Sequence, residues 1–447
     1  MMRKFLMQDD AGYPHVSNAV LLTFCGYVVI WYLQIGYRFP ALGAIRIEFI
    51  WALVLISLAI ISPNKLELMD NPLGGIVVLF LISIAIQVPF SYVPEHSWDV
   101  FFNRVLKFSF MAFFIVSFVK SPKHLMFFIA AFMLACMKMG QEGFVGHLTG
   151  NMLWENQGVM RLHGSTPNYM HPNSFAGMAI GTIPFIIYLY PIVPRFIKVI
   201  LLVQLVFACN IILYSGSRTA YVALAVLMLF IVIKSQKKII TFVSIVFVLI
   251  IFMQYVDHQY VERFSTIFTG VEIEGNSIGA RKQILKDAIE VFIEHPFGIG
   301  VGAFPAMRTE IFGRTQDTHN LYLEIATNIG IQGLVIFCFF IMKMLKILNS
   351  IQCKSKKYIE HINTIKNNVI ENVTHKNEYE IINNIKFLEA ISKAVYLFII
   401  LRLTLGLFGM DLYEVYWWFS SGLVFSLYNI NKHMSSFLKS EYVIEVD

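Results

Sequence analysis

Three polar stretches interrupt an otherwise apolar chain, and they contain two arginines and a histidine suited to chemistry. The first runs from Arg161 to Gly177 and reads RLHGSTPNYMHPNSFAG; the second is Ser215-Gly216-Ser217-Arg218; the third is Thr318-His319-Asn320. Each stands where an apolar helix should begin, and Asn173 or Ser174, Ser217 and Thr318 offer side-chain oxygens to cap those helices. On this reading His319 and Asn320 sit in the first turn of the third helix. Helix N-termini carry unpaired backbone N–H groups and the positive end of the macrodipole, so they attract anions. A guanidinium grips phosphate oxygens with a planar fork, and its charge does not titrate away. Arg161 and Arg218, with three helix ends facing one pocket, therefore suit a diphosphate, and Arg281 and Arg402 are further candidates for the same anion. His319, with a reference pKa near ~6.5, suits a general base at neutral pH. Glu324 lies five residues further on, off the face of His319, and is not paired with it.

Each of these residues also has an ordinary reading. An arginine at a helix end can snorkel, and an interfacial histidine often only caps or packs, which is the reading kept for His163, His171 and His295. What favours chemistry is the convergence of the three stretches. Gly298-Ile-Gly-Val-Gly302 is not a nucleotide loop, because no strand precedes it. Glu272 and Glu274 read as solvated loop carboxylates. With no DxD and no metal-ligand spacing, the expected chemistry is metal-independent, and no cofactor is implied.

The elements that position these residues are membrane helices. The chain has 447 residues, 57% hydrophobic and 14% charged, including 40 phenylalanines. Its mean hydropathy is +0.64. A soluble domain carries about 25% charged residues, so the composition indicates an all-α polytopic membrane protein forming a single integral membrane domain over 1–447. The formal charge of +6 does not indicate nucleic acid, because much of it lies in short loops between apolar runs. The five cysteines fall in apolar runs or a lysine-rich loop, and no disulfide is expected. The start, Met-Met-Arg-Lys, lacks a small-residue cleavage site and reads as an uncleaved lead into the first span.

Spanning runs need roughly 17–25 apolar residues, and about twelve are found, near 18–36, 47–62, 74–91, 103–119, 124–141, 173–190, 196–214, 218–233, 238–256, 319–345, 388–409 and 414–431. Lys and Arg gather in alternate loops, which puts both termini in the cytoplasm. Two loops are long outside, 142–172 and 257–318, and one is long inside, 346–387. The inner insert reads as a charged helical pair or a flexible segment with a solvated face. Ionisable residues inside the spans, among them Arg104, Lys107, Lys138, Glu324 and Arg402, gather toward the outer half, so the site should open outward.

Within the second outer loop, 281–294 reads as an amphipathic helix. Ile284, Leu285, Ala288, Ile289, Phe292 and Ile293 form its apolar face, and Lys282, Lys286, Asp287, Glu290 and Glu294 its polar one. Pro296 ends it, and Gly298, Gly300 and Gly302 predict a flexible turn. Such a helix suits the interface, as a lid or wall over a lipid-linked substrate.

His319-Asn320, nine residues, Gly330, two residues, Gly333 resembles a signature of the O-antigen ligase and polymerase family. Gly298 to Phe304, Arg161 through Asn173, and Ser215 to Arg218 are similar to further motifs of that family, in the same order. The resemblance implies a fold related to the GT-C class and inverting, metal-independent glycosyl transfer at the outer face of the bacterial inner membrane. It implies a donor glycan linked to undecaprenyl diphosphate and an acceptor that is either another glycan, for a polymerase of O-antigen or capsule, or the lipid A core, for a ligase. It also implies that Arg161 and Arg218 hold the diphosphate, that His319 handles the acceptor, and that Asn320, Asn173 and Ser217 support them. The insert 346–387 has no counterpart in it. A slight preference falls to the polymerase. The rival class, a flippase or transporter of the same lipid-linked glycan, predicts ionisable residues near the midplane, and these are not seen.

Overall fold

The computed structural model describes residues 13–62, 70–156, 158–255, 257–269, 277–368, 375–409 and 411–442. The protein is mostly helical. It opens with Asn18–Leu33 (α1), two short helices Ile35–Arg38 (α2) and Pro40–Ala44 (α3), then Ile47–Ile61 (α4) and Gly74–Ile86 (α5). Pro94–Val100 (α6) continues through a π turn into Lys107–Phe118 (α7), followed by Pro122–Thr149 (α8). A hairpin of Leu153–Asn156 (β1) and Val159–Leu162 (β2) leads to Pro172–Leu189 (α9), Arg195–Tyr214 (α10), Arg218–Lys234 (α11) and Lys238–Tyr255 (α12). Three helices lie within 257–318: His258–Thr269 (α13), Ser277–Glu294 (α14) and Phe304–Phe312 (α15). Leu321–Asn328 (α16), Gly330–Asn368 (α17), His375–Gly406 (α18) and Val415–Tyr442 (α19) complete the chain.

Among the described residues, five helices are long and apolar enough to cross a membrane: Pro94–Phe118, Pro122–Thr149, Pro172–Leu189, Arg195–Tyr214 and Gly330–Thr364. Asn18–Leu33, Ile47–Ile61, Gly74–Ile86 and Lys238–Phe247 are apolar but shorter. The multi-pass character read from composition therefore holds, while the count of about twelve crossings rests on the apolar runs alone. The interior is one continuous apolar cluster rich in aromatic rings. Phe24 stacks on Phe128 between α1 and α8 at 5.4 Å, and Phe132 meets Phe419 between α8 and α19 at 4.8 Å. Such offset and tilted ring pairs add to the packing that holds helices together where lipid supplies no hydrophobic drive.

The structure changes or narrows five of the sequence expectations. First, α8 runs on to Thr149, capped by Gly150 at φ +74°, so the chain is still helical past 142, where a loop was expected to begin. Gln141, Glu142 and His147 lower the hydropathy there without interrupting the helix. Second, that loop contains an antiparallel hairpin, with Trp154 opposite Arg161, where an all-α fold was expected. Third, the run 319–345 is broken at Ile329–Gly330, and the long apolar helix begins at Gly330. Fourth, the insert 346–387, read as either a charged helical pair or a flexible segment, takes the helical form in its described parts, where α17 and α18 continue as a pair beyond the apolar region; 369–374 lie outside the described residues. Glu272 and Glu274 also lie outside them.

The fifth change concerns α14, whose buried face is rotated from the expected one. Ile284, Ala288 and Val291 are buried together with Asp287, while Ile289 and Ile293 are exposed. Asp287 was assigned to the polar face. Instead its carboxylate accepts from Arg308 Nε at 2.9 Å, Arg314 Nη1 at 3.1 Å and Gln283 Nε2 at 2.7 Å. Arg308 and Asp287 are each only 1% exposed, so the pair forms the polar centre of a small core with Phe304 and Met307. Leu285, Ile289, Ile293 and Phe297 then form an exposed apolar stripe, as expected of a helix that lies on a membrane surface.

Candidate functional site

The site is built on a glycine-rich joint. Gly298 and Gly330 have φ of +93° and +83°, and their backbones meet: a Cβ on Gly298 would lie 2.7 Å from the carbonyl carbon of Ile329. Only glycine tolerates both the left-handed dihedral and this approach. Ile299 N donates to Thr327 O at 2.9 Å, Gly300 N to Asn328 O at 3.0 Å, and Ile331 N to Pro296 O at 2.9 Å. Gln87 Nε2 adds a hydrogen bond to Phe297 O at 2.7 Å. The turn expected to be flexible is therefore a packed buttress that fixes the C-terminal end of α16.

The N-terminal end of α16 carries His319. Asn320 is its cap, and Asn320 Oδ1 accepts from Tyr322 N and Leu323 N at 3.0 and 3.1 Å. Thr318 was the expected cap; its hydroxyl instead lies 3.2 Å from Asn320 O. His319 and Asn320 thus precede the helix, and His319 has φ +47°. A non-glycine residue in this region is held against local strain, a feature concentrated at functional sites. Asn320 Nδ2 donates to Leu407 O at 3.1 Å, Tyr322 OH to Leu403 O at 3.1 Å, and Leu412 N to the buried Glu324 carboxylate at 3.1 Å. These bonds tie α16 to the α18–α19 turn, and they give Glu324 a structural partner away from His319.

The other two motifs meet each other directly. Arg161, on β2, is 4% exposed. Its Nε donates to Ser215 O at 2.8 Å and its Nη2 to Asn173 Oδ1 at 2.7 Å. The fork therefore clamps the Ser215–Ser217 turn to the start of α9. Ser217 caps α11, as expected, by accepting from Ala220 N at 3.3 Å. The α9 cap is His171, whose Nδ1 accepts from Asn173 N at 3.1 Å, not Asn173 or Ser174. The hairpin is held from outside by α13: Tyr260 OH donates to Met160 O at 2.7 Å, and Met160 N donates to Gln259 Oε1 at 3.1 Å.

Arg218, at the first turn of α11, and His319 line one cavity of about 290 Å³, together with Arg281 and Lys282 from α14. Arg218 Nη1 is 3.3 Å from Thr266 Oγ1 of α13. Among the described residues no carboxylate lines this cavity; Val222, Ile267, Leu285, Leu407 and Phe408 form its apolar part. Arg161 stands behind Gly216 and does not line it. Arg402 lies elsewhere, buried between Gly177 O at 2.9 Å and the ring of Tyr416, whose centroid is 3.3 Å away. Of the sequence candidates, the structure thus gathers Arg218, Arg281 and His319 around one space, with Asn320, Ser217, Asn173 and Arg161 supporting its walls.

Sequence reasoning missed Arg263 on α13. It is 5% exposed, with Nε 3.4 Å from Gly216 O. Burial, followed by the charges of Arg263, Arg218 and Arg281, pushes the Arg161 guanidinium down to about 10, so it stays charged at neutral pH. Burial, then Arg281, holds the His319 imidazole below its ordinary value, against an opposing contribution from Asp317. A lowered pKa keeps His319 neutral near pH 7, with a ring lone pair available for a proton. His171 is lowered too, by burial and then by Arg161 and His319. The signal for Arg263 and Lys282 is helical spacing: each lies one turn from a residue that faces the cavity.

Residues 203–338 match the family described as O-antigen ligase. Over that segment the chain is similar to the O-antigen ligase family. The matched segment includes Arg218, Arg281, the glycine buttress and His319-Asn320. That likeness supports a membrane protein with glycosyl transfer of the ligase or polymerase type. It also supports lipid-linked glycan and acceptor as the substrate classes. No curated protein matches the chain.

Proposed function

We propose that this protein is a metal-independent, inverting membrane glycosyltransferase that moves an undecaprenyl-diphosphate-linked glycan onto an acceptor hydroxyl at the outer face of the bacterial inner membrane. The observation that carries this reading is the gathering of Arg218, Arg281, Lys282 and His319 around one cavity. The donor diphosphate sits against Arg218 and Arg281. Arg161 holds the turn behind them and adds charge at one remove. The apolar wall from Val222 to Phe408 takes the first part of the lipid. The acceptor oxygen attacks the anomeric carbon from the face opposite the diphosphate. Its proton passes to His319, the bond from the anomeric carbon to phosphate oxygen breaks, and undecaprenyl diphosphate leaves. The arginines stabilise the negative charge that develops on the leaving group, the role a metal ion fills in other transferases. Arg402, stacked on Tyr416, acts on the fold and not on the anion.

The acceptor is a second lipid-linked glycan, which makes the protein a polymerase of O-antigen or capsular polysaccharide. The description of the matched family and the His-Asn-x9-Gly-x-x-Gly pattern favour the ligase, with lipid A core as acceptor. A deletion strain separates the two. Loss of long chains with single repeat units still attached indicates the polymerase. Full-length chains accumulating on the lipid carrier indicate the ligase. Unchanged surface polysaccharide rejects both. Transfer by the purified protein that requires an added divalent cation rejects the metal-independent chemistry.

A further inference from the structure

A second cavity, of about 400 Å³, lies between α17 and α19 at the other end of the bundle. Lys343, Lys346 and Lys354 face it from α17, and Lys432 and Lys439 from α19. The spacing of 3, 8 and 7 residues keeps each set on one side of its helix, so two rows of ammonium groups oppose each other. No carboxylate lines the cavity among the described residues, and none of these lysines makes a salt bridge there. Hydroxyls stand between the charges: Tyr358 OH donates to Ser435 Oγ at 2.8 Å, and Ser435 Oγ donates to Asn431 O at 2.7 Å. Five like charges around one recess repel one another, and an anion with several oxygens relieves that repulsion.

Depth decides what carries the anion. At about 1.5 Å per residue, Lys343 to Lys354 lie roughly 20 to 36 Å along α17 from Gly330, about one hydrocarbon thickness from the His319 cavity. On the same side of α17, just before the lysines, Val335, Phe339 and Met342 are 45%, 57% and 54% exposed. An exposed apolar stripe that gives way to lysines marks the level at which lipid tails meet headgroups. We propose that this cleft binds the phosphate of an anionic lipid headgroup in the leaflet opposite the glycosyl-transfer site, with the acyl chains along Val335, Phe339 and Met342. The inner loops' lysine excess makes that leaflet the cytoplasmic one.

The test uses the full-length purified protein and phosphatidylglycerol, with phosphatidylcholine as the uncharged control and inorganic tripolyphosphate as the soluble control. Native mass spectrometry reads retained lipid. Phosphatidylglycerol should be retained at least tenfold better than phosphatidylcholine. A triple Lys346→Gln, Lys354→Gln, Lys432→Gln variant should lose that preference, and the corresponding triple arginine variant should keep it. Tripolyphosphate bound in a charge-dependent way without lipid preference keeps the phosphate site but overturns the lipid source. Equal retention of phosphatidylglycerol by the wild type and the glutamine variant, with no tripolyphosphate binding, overturns the proposal. The glutamine variant should remain folded, since the changed side chains are exposed or half-buried, and an unchanged thermal unfolding midpoint checks this.

Discussion

Two recesses among the described residues are lined by cations, and they are made differently. At the His319 end the lining cations are mainly arginines, Arg218 and Arg281, backed by Arg161, whose fork is fixed on Ser215 O and Asn173 Oδ1, and by Arg263 near Gly216 O. At the far end they are lysines on two long helices, each ammonium carried on a flexible four-carbon stem. A planar guanidinium with its acceptors already placed loses little freedom when it meets an anion, whereas an ammonium on a flexible stem acts as a diffuse positive field. The first construction suits a reaction in which charge must be met at a defined point as a bond breaks; the second suits holding an anion whose position matters little. The glycine buttress and the strained His319 backbone belong only to the first end.

The largest effects should come from breaking the preorganised end. His319→Ala should lower transfer by the purified protein ~10²–10⁴-fold, the range for a positioned acid–base group. Arg218→Lys should fall nearly as far although it keeps the charge, because a point charge cannot replace the fork. The converse Lys-to-Arg exchange should be harmless in the lysine cleft, which is what separates the two kinds of recess. His163→Ala and His295→Ala should stay within a few-fold of wild type. Full activity in His319→Ala removes the general-base role.

Next in size is the buried pair beside the site. Asp287→Ala leaves Arg308 buried without its carboxylate, which should cost roughly 3–5 kcal/mol of stability. Thermal unfolding of the protein in detergent reads this as a lower midpoint. Burial pushes the Asp287 carboxyl up, but hydrogen bonds from Gln283, Arg308 and Arg314 outweigh that and leave it below the ordinary carboxylate value. Its contribution is therefore present above the unfolded-state pKa and fades only as pH falls through the lower folded value. A midpoint unchanged by the substitution means that α14 and α15 do not depend on the pair.

Arg161→Lys should act less strongly, through the loss of directed bonds to Ser215 O and Asn173, each worth about 1.5–3 kcal/mol when the donor is charged. Because Arg161 does not line the cavity, the change should raise KM for the lipid-linked donor more than it lowers kcat. A fall in kcat alone, equal to that of Arg218→Lys, would put Arg161 on the leaving group itself.

These contrasts show which parts of the site were legible in the sequence. The convergence of Ser217, Arg218 and His319 could be read, because polar residues at the mouths of apolar runs have few places to go. The hairpin was missed although Leu153-Trp-Glu-Asn and Val159-Met-Arg-Leu flank a glycine with φ +70°, because hydropathy alone sees only a polar gap. Asp287 was misplaced because α14 has two adjacent apolar stripes, and only tertiary packing decides which faces inward. Arg402 was drawn to the anion by its charge, when the ring of Tyr416 gives that charge a partner inside the bundle. The α16–α17 break was hidden because Ile329 and Gly330 do not interrupt the apolar count.

The smallest effect expected is a shift of the pH profile, and it tests whether His319 experiences the charges that surround it. The groups facing it are Arg281 and Lys282 from α14, Arg308 from α15, Asp317 from its own loop and His171 from the start of α9. Burial and the arginines lower its pKa, and Asp317 raises it. A general base must be neutral, so the acid limb of kcat/KM should fall below the ordinary histidine value of about 6.5. Arg281→Gln removes a cation, stabilises the imidazolium and should move the limb upward. Asp317→Asn removes the opposing carboxylate and should move it downward. Arg281 also belongs to the anion-binding wall, so the readout is the position of the limb and not the level of activity. Limbs that stay fixed in both variants would mean that the titrating group is not His319.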